Sequence, residues 1–354
     1  MSLENIVDSN STLSEILFSK DNEYSFLEQE YVRKYNTELL SKESISTTNT
    51  FFRKVSIIIP AYNSADTVLG TLITINNQIL SGPERELIEV IVVDDGSTDD
   101  TEERIKKQNY DFSFKYIKQA NAGRSFARNI GVKNASGETL IFLDSDVLLE
   151  KSFIREHAVR CEALRQCVFI SFKENVYLDQ NKIFDFIGEN NKPEIEKDFR
   201  FLKAVSPSWK RIHRFDVPIE TRVVKVVEES NNLKDLGKGR VLGVWDLPSI
   251  ALTCSISMRK EEFLKVGGFN TGFKGWGMED TFLAACLIAN NNYLVPVFST
   301  GVFHIKHDFR SGSEENQLKE FNKNVELYNE LLKKKAKEIM TSQQRCFYSV
   351  QSTF

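Results

Sequence analysis

Several residue types are scarce in this 354-residue chain, which has five cysteines, four histidines, seven prolines and three tryptophans. The cysteines are odd in number and scattered without a CxxC pair, which argues against a disulfide framework or a zinc knuckle. No apolar run approaches the roughly 18 residues that span a bilayer. Residues 1–10 lack the basic start and apolar segment of a secretory signal. We therefore expect a soluble, cytoplasmic protein without a transmembrane segment, with peripheral membrane association left open.

A surplus of positive charge is also missing. The 46 Lys and Arg residues stand against 50 Asp and Glu residues, which gives a net charge of -4. Proteins that bind nucleic acid usually carry a basic surplus or a basic stripe, so we expect no nucleic-acid partner. Hydrophobic residues make up 41% of the chain. That share and this length are enough for a buried core in one large domain or two modest ones.

Strand and helix signals alternate between residues 51 and 150. Short apolar runs at Val55 to Pro60 and Ile88 to Val93 predict two buried strands, and the pattern predicts two further strands at Phe114 to Lys118 and Thr139 to Leu143. Helical spacing fills the intervals between them, at Ala65 to Ile79, from about Thr98, and at Ser125 to Lys133. Such alternation predicts an α/β fold with a mostly parallel, Rossmann-like central sheet flanked by helices.

The two ends of the chain and its middle have a different character. Residues 1–50 are polar with some helical spacing, and we interpret them as an N-terminal helical and linker extension. The stretch from Glu174 to Lys238 is charged and looks irregular. Ser313 to Ile339 has the pattern of one long charged helix within a C-terminal helical extension, residues 311–354.

Acidic residues follow two of the predicted strands. Asp94 and Asp95 come after the second strand, and Asp144-Ser145-Asp146 comes after the fourth. In parallel α/β sheets, ligands bind beyond the carboxyl ends of the strands. Two carboxylates around one residue can hold a divalent cation together with a diphosphate, and an Asp can accept a hydrogen bond from a ribose hydroxyl or a pyrimidine NH. The other interpretation, that these residues only cap or turn the chain, stays open.

A tryptophan between two glycines precedes a second acidic pair, in Gly275-Trp276-Gly277-Met278-Glu279-Asp280. The flat indole can pack on the C–H face of a sugar, and a carboxylate that follows can act as a general base. The same carboxylates would also stabilise the start of a helix through its macrodipole. Further along, His304 and His307 are two of the four histidines, and imidazole is a good transition-metal ligand. An ordinary pair of histidines is the alternative.

The order of these motifs resembles a known family. VSIIIPAYN, VIVVDDGSTDDT, NAGRSFARNIG and LIFLDSDV together resemble the family 2 glycosyltransferases of the GT-A fold. The segment SISMRKEEFLKVGGFNTGFKGWGMED resembles the C-terminal half shared by bacterial chondroitin-type polymerases and β-1,4-galactosyltransferases. The resemblance covers about residues 54–148 and 250–308. It implies a GT-A catalytic domain at residues 51–310, with a nucleotide-binding half at 51–150 and an acceptor-binding, catalytic half at 241–310.

The resemblance also implies roles for individual residues. The nucleotide and donor site would comprise Pro60, Ala61, Tyr62, Asp94, Asp95, Arg124, Arg128, Asp144, Ser145 and Trp276. Asp95 would bind uracil, and Arg128 would contact the base or the diphosphate, with Arg124 a weaker candidate. Asp146 would be the main carboxylate ligand of Mn²⁺ or Mg²⁺. His307 matches the histidine ligand of the galactosyltransferases, and His304 replaces their methionine.

The expected activity is metal-dependent transfer of a sugar from a UDP-sugar to a glycan, a lipid-linked sugar or a peptide. Asp280 would be the catalytic base, with Glu279 beside it. An aspartate at this position favours inversion of the anomeric configuration, because the similar but retaining polypeptide N-acetylgalactosaminyltransferases look like Glu-Asn at the equivalent place. A retaining transferase and an inactive sugar- or nucleotide-binding scaffold stay open as alternatives. A nucleotidyltransferase or an NAD-dependent enzyme is disfavoured, since no Gly-rich phosphate loop and no GxGxxG motif follows the first strand.

Overall fold

A computed structural model describes residues 10–20, 22–45, 51–189, 191–198, 200–201, 210–211, 223–224, 247–306 and 313–349. His307, a predicted metal ligand, lies outside these residues. The strands are β1 (Val55–Ala61), β2 (Ile88–Asp94), β3 (Ser113–Lys118), β4 (Thr139–Leu143), β5 (Val147–Leu149), β6 (Cys167–Val176), β7 (Lys210–Arg211), β8 (Val223–Val224), β9 (Ser255–Arg259) and β10 (Tyr293–Ile305).

Helices occupy both ends of the described chain and most intervals between the strands. They are α1 (Leu13–Ser19), α2 (Ser25–Tyr35), α3 (Val68–Asn76), α4 (Gly82–Glu86), α5 (Thr101–Lys106), α6 (Arg124–Asn134), α7 (Phe153–Ala163), α8 (Gln180–Gly188), α9 (Lys260–Lys265), α10 (Glu279–Ala289), α11 (Glu314–Leu332) and α12 (Ala336–Ser349). Among the described residues, no helix combines the length and the apolar character that crossing a bilayer requires.

Eight of the strands form one sheet in the order β3-β2-β1-β4-β9-β6-β10-β5. Strands β3, β2, β1 and β4 are mutually parallel, and β6 is parallel to β10. Strand β9 runs antiparallel to both its neighbours, and β5 is antiparallel to β10. The predicted α/β class with a mostly parallel central sheet is confirmed.

Apolar residues cover both faces of this sheet. In β1, Ile58 packs in a cluster with α6 and α10, whereas Ile57 and Ile59 pack on the other face with α3 and α7. Successive side chains of a strand point to opposite faces, so a strand buried on both sides needs a continuous apolar run. This requirement explains the nearly continuous apolar runs of β1 and β2, in which the buried polar exceptions Ser56 and Glu89 are hydrogen-bonded to each other.

Several predicted boundaries are wrong by one to three residues, and the helix predicted at Ala65 to Ile79 spans Val68–Asn76. Strand β1 continues past Pro60 to Ala61, because its parallel pairing with β2 extends that far. Its pairing with β4 already stops at Ile58. The helix predicted from about Thr98 begins at Thr101. The residues before it hold a neighbouring loop instead: the backbone NH of Thr98 donates to Asn63, and the Asp99 carboxylate accepts from Ala65.

The long helix predicted from Ser313 to Ile339 is also wrong, since it is two helices, α11 and α12, separated by a turn. The turn is tied to the start of the chain. The backbone carbonyl of Lys334 accepts a hydrogen bond from Leu13, and Ala336 donates to Ser11. Because these carbonyl and NH groups bond to residues 11–13, the helical ladder is interrupted there. No local sequence signal marks such a tertiary contact.

The stretch from Glu174 to Lys238 is partly regular, contrary to the prediction. Strand β6 continues to Val176 and α8 follows, with Asp179 capping it by accepting from the backbone NH groups of Asn181 and Lys182. Most of the remainder lies outside the described residues. The helical spacing predicted near the N-terminus corresponds to α1 and α2.

Candidate functional site

The predicted acidic residues meet at one edge of the sheet. Strand β2 ends at Asp94, and β4 ends at Leu143, just before Asp144. These two strands flank β1, to which both are parallel, so their carboxyl ends lie on the same edge. The backbone NH of Asp95 donates to the carbonyl of Ala61, the last residue of β1. This edge is where ligands bind in parallel α/β sheets.

The Asp94 and Asp95 side chains organise the loops at this edge. Asp94 is fully buried, and its carboxylate accepts from the backbone NH of Ser97 and from the Tyr116 hydroxyl. Asp95 accepts from the backbone NH groups of Ala122 and Gly123, each at 2.8 Å, and from the Gln119 amide at 2.7 Å. Asp95 therefore fixes the loop that leads into α6. A carboxylate has about four lone-pair sites, so three bonds leave Asp95 one more acceptor position.

Arg128 lies at the centre of three carboxylates. Its Nη2 is 2.8 Å from Asp144 Oδ1, and its Nη1 is 3.3 Å from Glu279 Oε1 and 3.6 Å from Asp280 Oδ1. The guanidinium also lies over the Phe269 ring, 5.3 Å from its centroid. Burial works against the charge of Arg128, but the three carboxylates outweigh it and raise its pKa above the ordinary value. Arg128 thus joins the acidic residues of both halves of the chain.

The surroundings of Asp280 raise the pKa of its carboxyl group. Its oxygens accept from the hydroxyl of Thr253 at 2.8 Å and from the backbone NH of Thr253 at 3.1 Å. Burial and the neighbouring Glu279 charge raise the pKa of Asp280 to about 6, although Arg128 opposes the shift. The side chain keeps 18% of its surface exposed. A carboxyl group of this kind is mostly ionised at neutral pH and still basic enough to accept a proton.

A second group could hold a metal ion. One donor atom from each of Asp144, Asp146 and His304 lies within 4.8 Å of the others. His304 comes from β10, and its Nε2 is 3.7 Å from Asp146 Oδ1. Pairing of β5 with β10 places Val147 opposite His304, and the backbone NH of Ile305 donates to the Asp146 carbonyl. Two carboxylates and one imidazole form a donor set that can hold a divalent cation.

The remaining predicted nucleotide residues line the same edge. Pro60 is partly buried, Ala61 is buried, and the Tyr62 side chain is exposed. Ser145 is buried and its hydroxyl lies 2.8 Å from that of Ser64, which ties the turn after β4 to the loop after β1. Proximity at this edge is compatible with the predicted nucleotide site.

The loop around Trp276 lies directly before α10. Gly275, Gly277 and Met278 all have positive φ angles, of 71°, 92° and 73°. This conformation is accessible to glycine at little cost and is strained for methionine. The half-buried indole of Trp276 packs against Phe321 of α11, with ring centroids 5.3 Å apart.

Three residues that the sequence did not single out contribute to the site. Thr253 holds Asp280, and Phe269 lies against Arg128. Lys274 donates to the Ala122 carbonyl, which joins the tryptophan loop to the loop that Asp95 fixes. All three act over long sequence separations; Phe269 and Lys274 lie in the segment that resembles the galactosyltransferases, but no feature of that segment marks them out individually.

Comparison with known proteins gives two family matches. Residues 56–205 match the profile described as glycosyl transferase family 2, and residues 245–308 match the one described as the N-terminal domain of galactosyltransferase. The two matched segments contain the carboxylates of Asp144, Asp146, Glu279 and Asp280. Arg128 therefore links residues that come from two different matched segments.

Individual relatives agree with these matches. An uncharacterized glycosyltransferase of Bacillus subtilis strain 168, YfnE, is 28% identical over 239 residues, which are 64% of this chain and 58% of the relative. Validoxylamine A glucosyltransferase of Streptomyces hygroscopicus subsp. jinggangensis is 28% identical over 242 residues, 67% of this chain and 51% of the relative. The chain thus spans little more than half the length of these relatives.

Among solved structures, the mannosyltransferase PcManGT of Pyrobaculum calidifontis, in complex with GDP-Man and Mn²⁺, is similar with a TM-score of 0.47 and 16% identity, covering 99% of this chain and 82% of that one. The two family profiles and the sheet described above agree with one another. Residues 56–205 are thus similar to glycosyltransferase family 2 and residues 245–308 to a galactosyltransferase domain, in a chain with an α/β fold and a mostly parallel central sheet.

Proposed function

We propose that the protein transfers a sugar from a UDP-sugar to a hydroxyl of a glycan, lipid-linked or peptide acceptor, with inversion at the anomeric carbon. The observation that carries the proposal is the group around Arg128, which sets the proposed base Asp280 beside Asp144, a residue of the candidate metal site. The Streptomyces relative is named a glucosyltransferase, which supports sugar transfer as the reaction class.

Asp144, Asp146 and His304 would hold a divalent cation, and Asp146 would be its main carboxylate ligand. The imidazole in this set favours Mn²⁺ over Mg²⁺, since Mg²⁺ prefers oxygen ligands. When bound, the cation would supply positive charge to the leaving diphosphate. His307 would complete or replace His304 in this role.

Arg124 and Arg128 would have different electrostatic roles in the reaction. Arg128 is almost fully buried and surrounded by carboxylates, so it would position Asp144 and Asp280 rather than approach the phosphates itself. The Arg124 side chain is 36% exposed and lies 3.6 Å from Glu279. Arg124 would therefore be the arginine that turns towards the diphosphate, where a positive charge stabilises the departing anion.

Asp280 would accept the proton of the acceptor hydroxyl as that oxygen attacks the anomeric carbon. Its two bonds to Thr253 fix the carboxylate, and its pKa of about 6 keeps it ionised at neutral pH. Attack from the face opposite the diphosphate gives a β-linked product from an α-linked donor. Glu279, paired with both arginines, would contact the sugar, and Trp276 would lie against its ring.

Pro60, Ala61, Tyr62 and Asp95 would form the nucleotide end of the site. The remaining acceptor position on Asp95 would take the uracil NH, while Asp94 and Ser145 would keep the surrounding loops in place. All five cysteines are free thiols, which fits a reaction in the reducing cytoplasm.

The test is release of nucleoside diphosphate from a panel of UDP-, GDP- and dTDP-sugars, with Mn²⁺, with Mg²⁺ and with EDTA. We expect slow, Mn²⁺-dependent release of UDP from one sugar, lost in Asp146→Asn. Asp185→Asn is the matched control, because Asp185 is an exposed residue of α8. Absence of turnover and of binding for every nucleotide-sugar would leave the inactive sugar-binding scaffold as the better interpretation.

A further inference from the structure

One buried side chain of α11 donates hydrogen bonds to three carbonyl groups of the Trp276 loop, residues 274–278. The Asn324 amide nitrogen donates to the carbonyl oxygens of Lys274 at 2.9 Å, Trp276 at 3.1 Å and Gly277 at 2.9 Å. Asn324 is only 4% exposed. An amide NH₂ has two hydrogens, so three acceptors share them in a network that leaves little freedom to the loop.

This arrangement requires an amide at position 324. The nitrogen faces three acceptors, so the reverse orientation would set a carbonyl oxygen against carbonyl oxygens. A carboxylate of the same size would repel all three. An apolar side chain would leave three backbone acceptors without this partner, which is unfavourable.

Two neighbours of Asn324 hold the same loop by other means. The Glu320 carboxylate accepts from the backbone NH of Trp276 at 3.0 Å, and the Phe321 ring packs on the indole. A Cβ atom at Gly275 would lie 2.4 Å from the Glu320 side chain, and one at Gly277 would lie 2.6 Å from Phe321. The two glycines thus allow α11 to approach the loop closely.

The loop leads straight into the first turn of α10. Met278, in the left-handed conformation, is the N-cap, and its carbonyl accepts from the backbone NH of Phe282. Glu279 and Asp280 are the first two residues of the helix. Displacement of the loop would therefore displace the carboxylates that contact Arg128.

We propose that Asn324 is a positioning residue that, with Glu320, sets the Trp276 loop and the first turn of α10 for sugar transfer. This inference rests on the proposed function of this site. It gives a role to α11, which follows the two segments that match known families. It makes α11 a required part of the active site, through its contacts with the loop before α10.

Asn324→Asp tests this role with little change of shape. We expect kcat for hydrolysis of the preferred UDP-sugar to fall roughly 10- to 100-fold, the range that a displacement of about 1 Å brings. The dissociation constant of UDP with Mn²⁺ should stay within about threefold, because Asp95 and Asp146 lie outside the loop. Asn322→Asp is the matched control: this residue is two positions away on the same helix and exposed, and it should keep wild-type kcat.

A second pair of variants keeps the inference testable if Asn324→Asp does not fold. Glu320→Ala removes the acceptor for the Trp276 backbone NH and should lower kcat, whereas Glu320→Gln retains an oxygen acceptor and should recover most of it. Glu326→Ala, at an exposed position of α11, should behave as wild type.

The outcomes separate the two proposals. An active wild type whose folded Asn324→Asp and Glu320→Ala variants keep wild-type kcat overturns the positioning role and leaves the proposed function standing. Loss of kcat together with loss of UDP binding in proportion also overturns it, since that pattern indicates general structural damage. A wild type that hydrolyses no nucleotide-sugar overturns both proposals.

Discussion

Asp280 shows how single residues of the site balance opposing effects. Burial and the charge of Glu279 favour its protonated form, while Arg128 and the backbone NH of Thr253 favour its ionised form. The result is a pKa of about 6, above the ordinary value for aspartate. An ideal general base has a pKa near the working pH, because it must be both ionised and basic.

The pH dependence of turnover should report this residue. Asp280 must be ionised to accept a proton, so kcat/KM for the wild type should fall as the pH drops through about 6, by about tenfold per pH unit below the pKa. The measurement is donor turnover between pH 5 and 8 at saturating Mn²⁺, which separates this effect from protonation of the metal site. Asp280→Asn should lose activity at every pH. A flat profile over this range would contradict the role of Asp280 as base.

Residues at strand ends could be predicted from the sequence, because buried β-branched runs locate the strands and parallel strands end at one edge. Asp95 and Asp144 were located in this way. The contacts of Thr253 and Asn324 could not, because each depends on a partner more than 20 residues away. The sequence also could not show that Arg128 is enclosed by carboxylates, since its three partners come from two separate segments.

Among the elements, the short strand β5 has a large effect on the site. It follows Asp146 directly and pairs antiparallel with β10, which brings His304 next to the carboxylates. This pairing brings together Asp146 and His304, which are 158 positions apart in the sequence. The sequence predicted two candidate histidines; the register of β5 with β10 places His304 beside Asp146, whereas His307 lies outside the described residues.

His304→Ala should weaken Mn²⁺ binding by at least the roughly 10- to 100-fold that loss of an outer partner costs at metal sites. The measurement is the Mn²⁺ dissociation constant in the presence of UDP, by electron paramagnetic resonance. His307→Ala is the comparison, and it resolves which histidine binds. Unchanged Mn²⁺ affinity in His304→Ala would remove this residue from the site.

Helices at the ends of the chain were less predictable than the strands. The pattern of α11 and α12 is that of one amphipathic stretch, and their separation depends on hydrogen bonds to residues 11–13. Helical pattern reports which face is buried, whereas a break of this kind depends on a partner far away in sequence. The strand β6 and helix α8 show the same limit in a charged segment.

Across the whole molecule, both ends of the described chain pack against helix α10, which carries the proposed base Asp280. Leu13 and Leu17 of α1 are fully buried in the same apolar cluster as Phe282, Leu283 and Tyr328. Helices α11 and α12 contribute to this cluster as well. The N- and C-terminal regions, predicted as extensions, therefore pack around the half of the site that carries Asp280.

Leu17→Ala should lower the free energy of unfolding by about 2–5 kcal/mol, the usual cost of removing a buried leucine side chain. The measurement is urea denaturation followed by circular dichroism. Leu318→Ala is the control, because Leu318 of α11 is 36% exposed, and it should change stability by less than about 1 kcal/mol. Equal effects of the two substitutions would contradict the packing of α1 against α10.

Proton NMR of a UDP-sugar during turnover with Mn²⁺ is the decisive measurement for inverting sugar transfer, because it follows donor consumption and product stereochemistry together. We predict that an α-linked donor is consumed only with the metal present and that the β-anomer of the sugar appears first, before mutarotation. Initial release of the α-anomer would contradict the inverting role of Asp280, and the absence of any consumption across the donor panel would contradict sugar transfer itself.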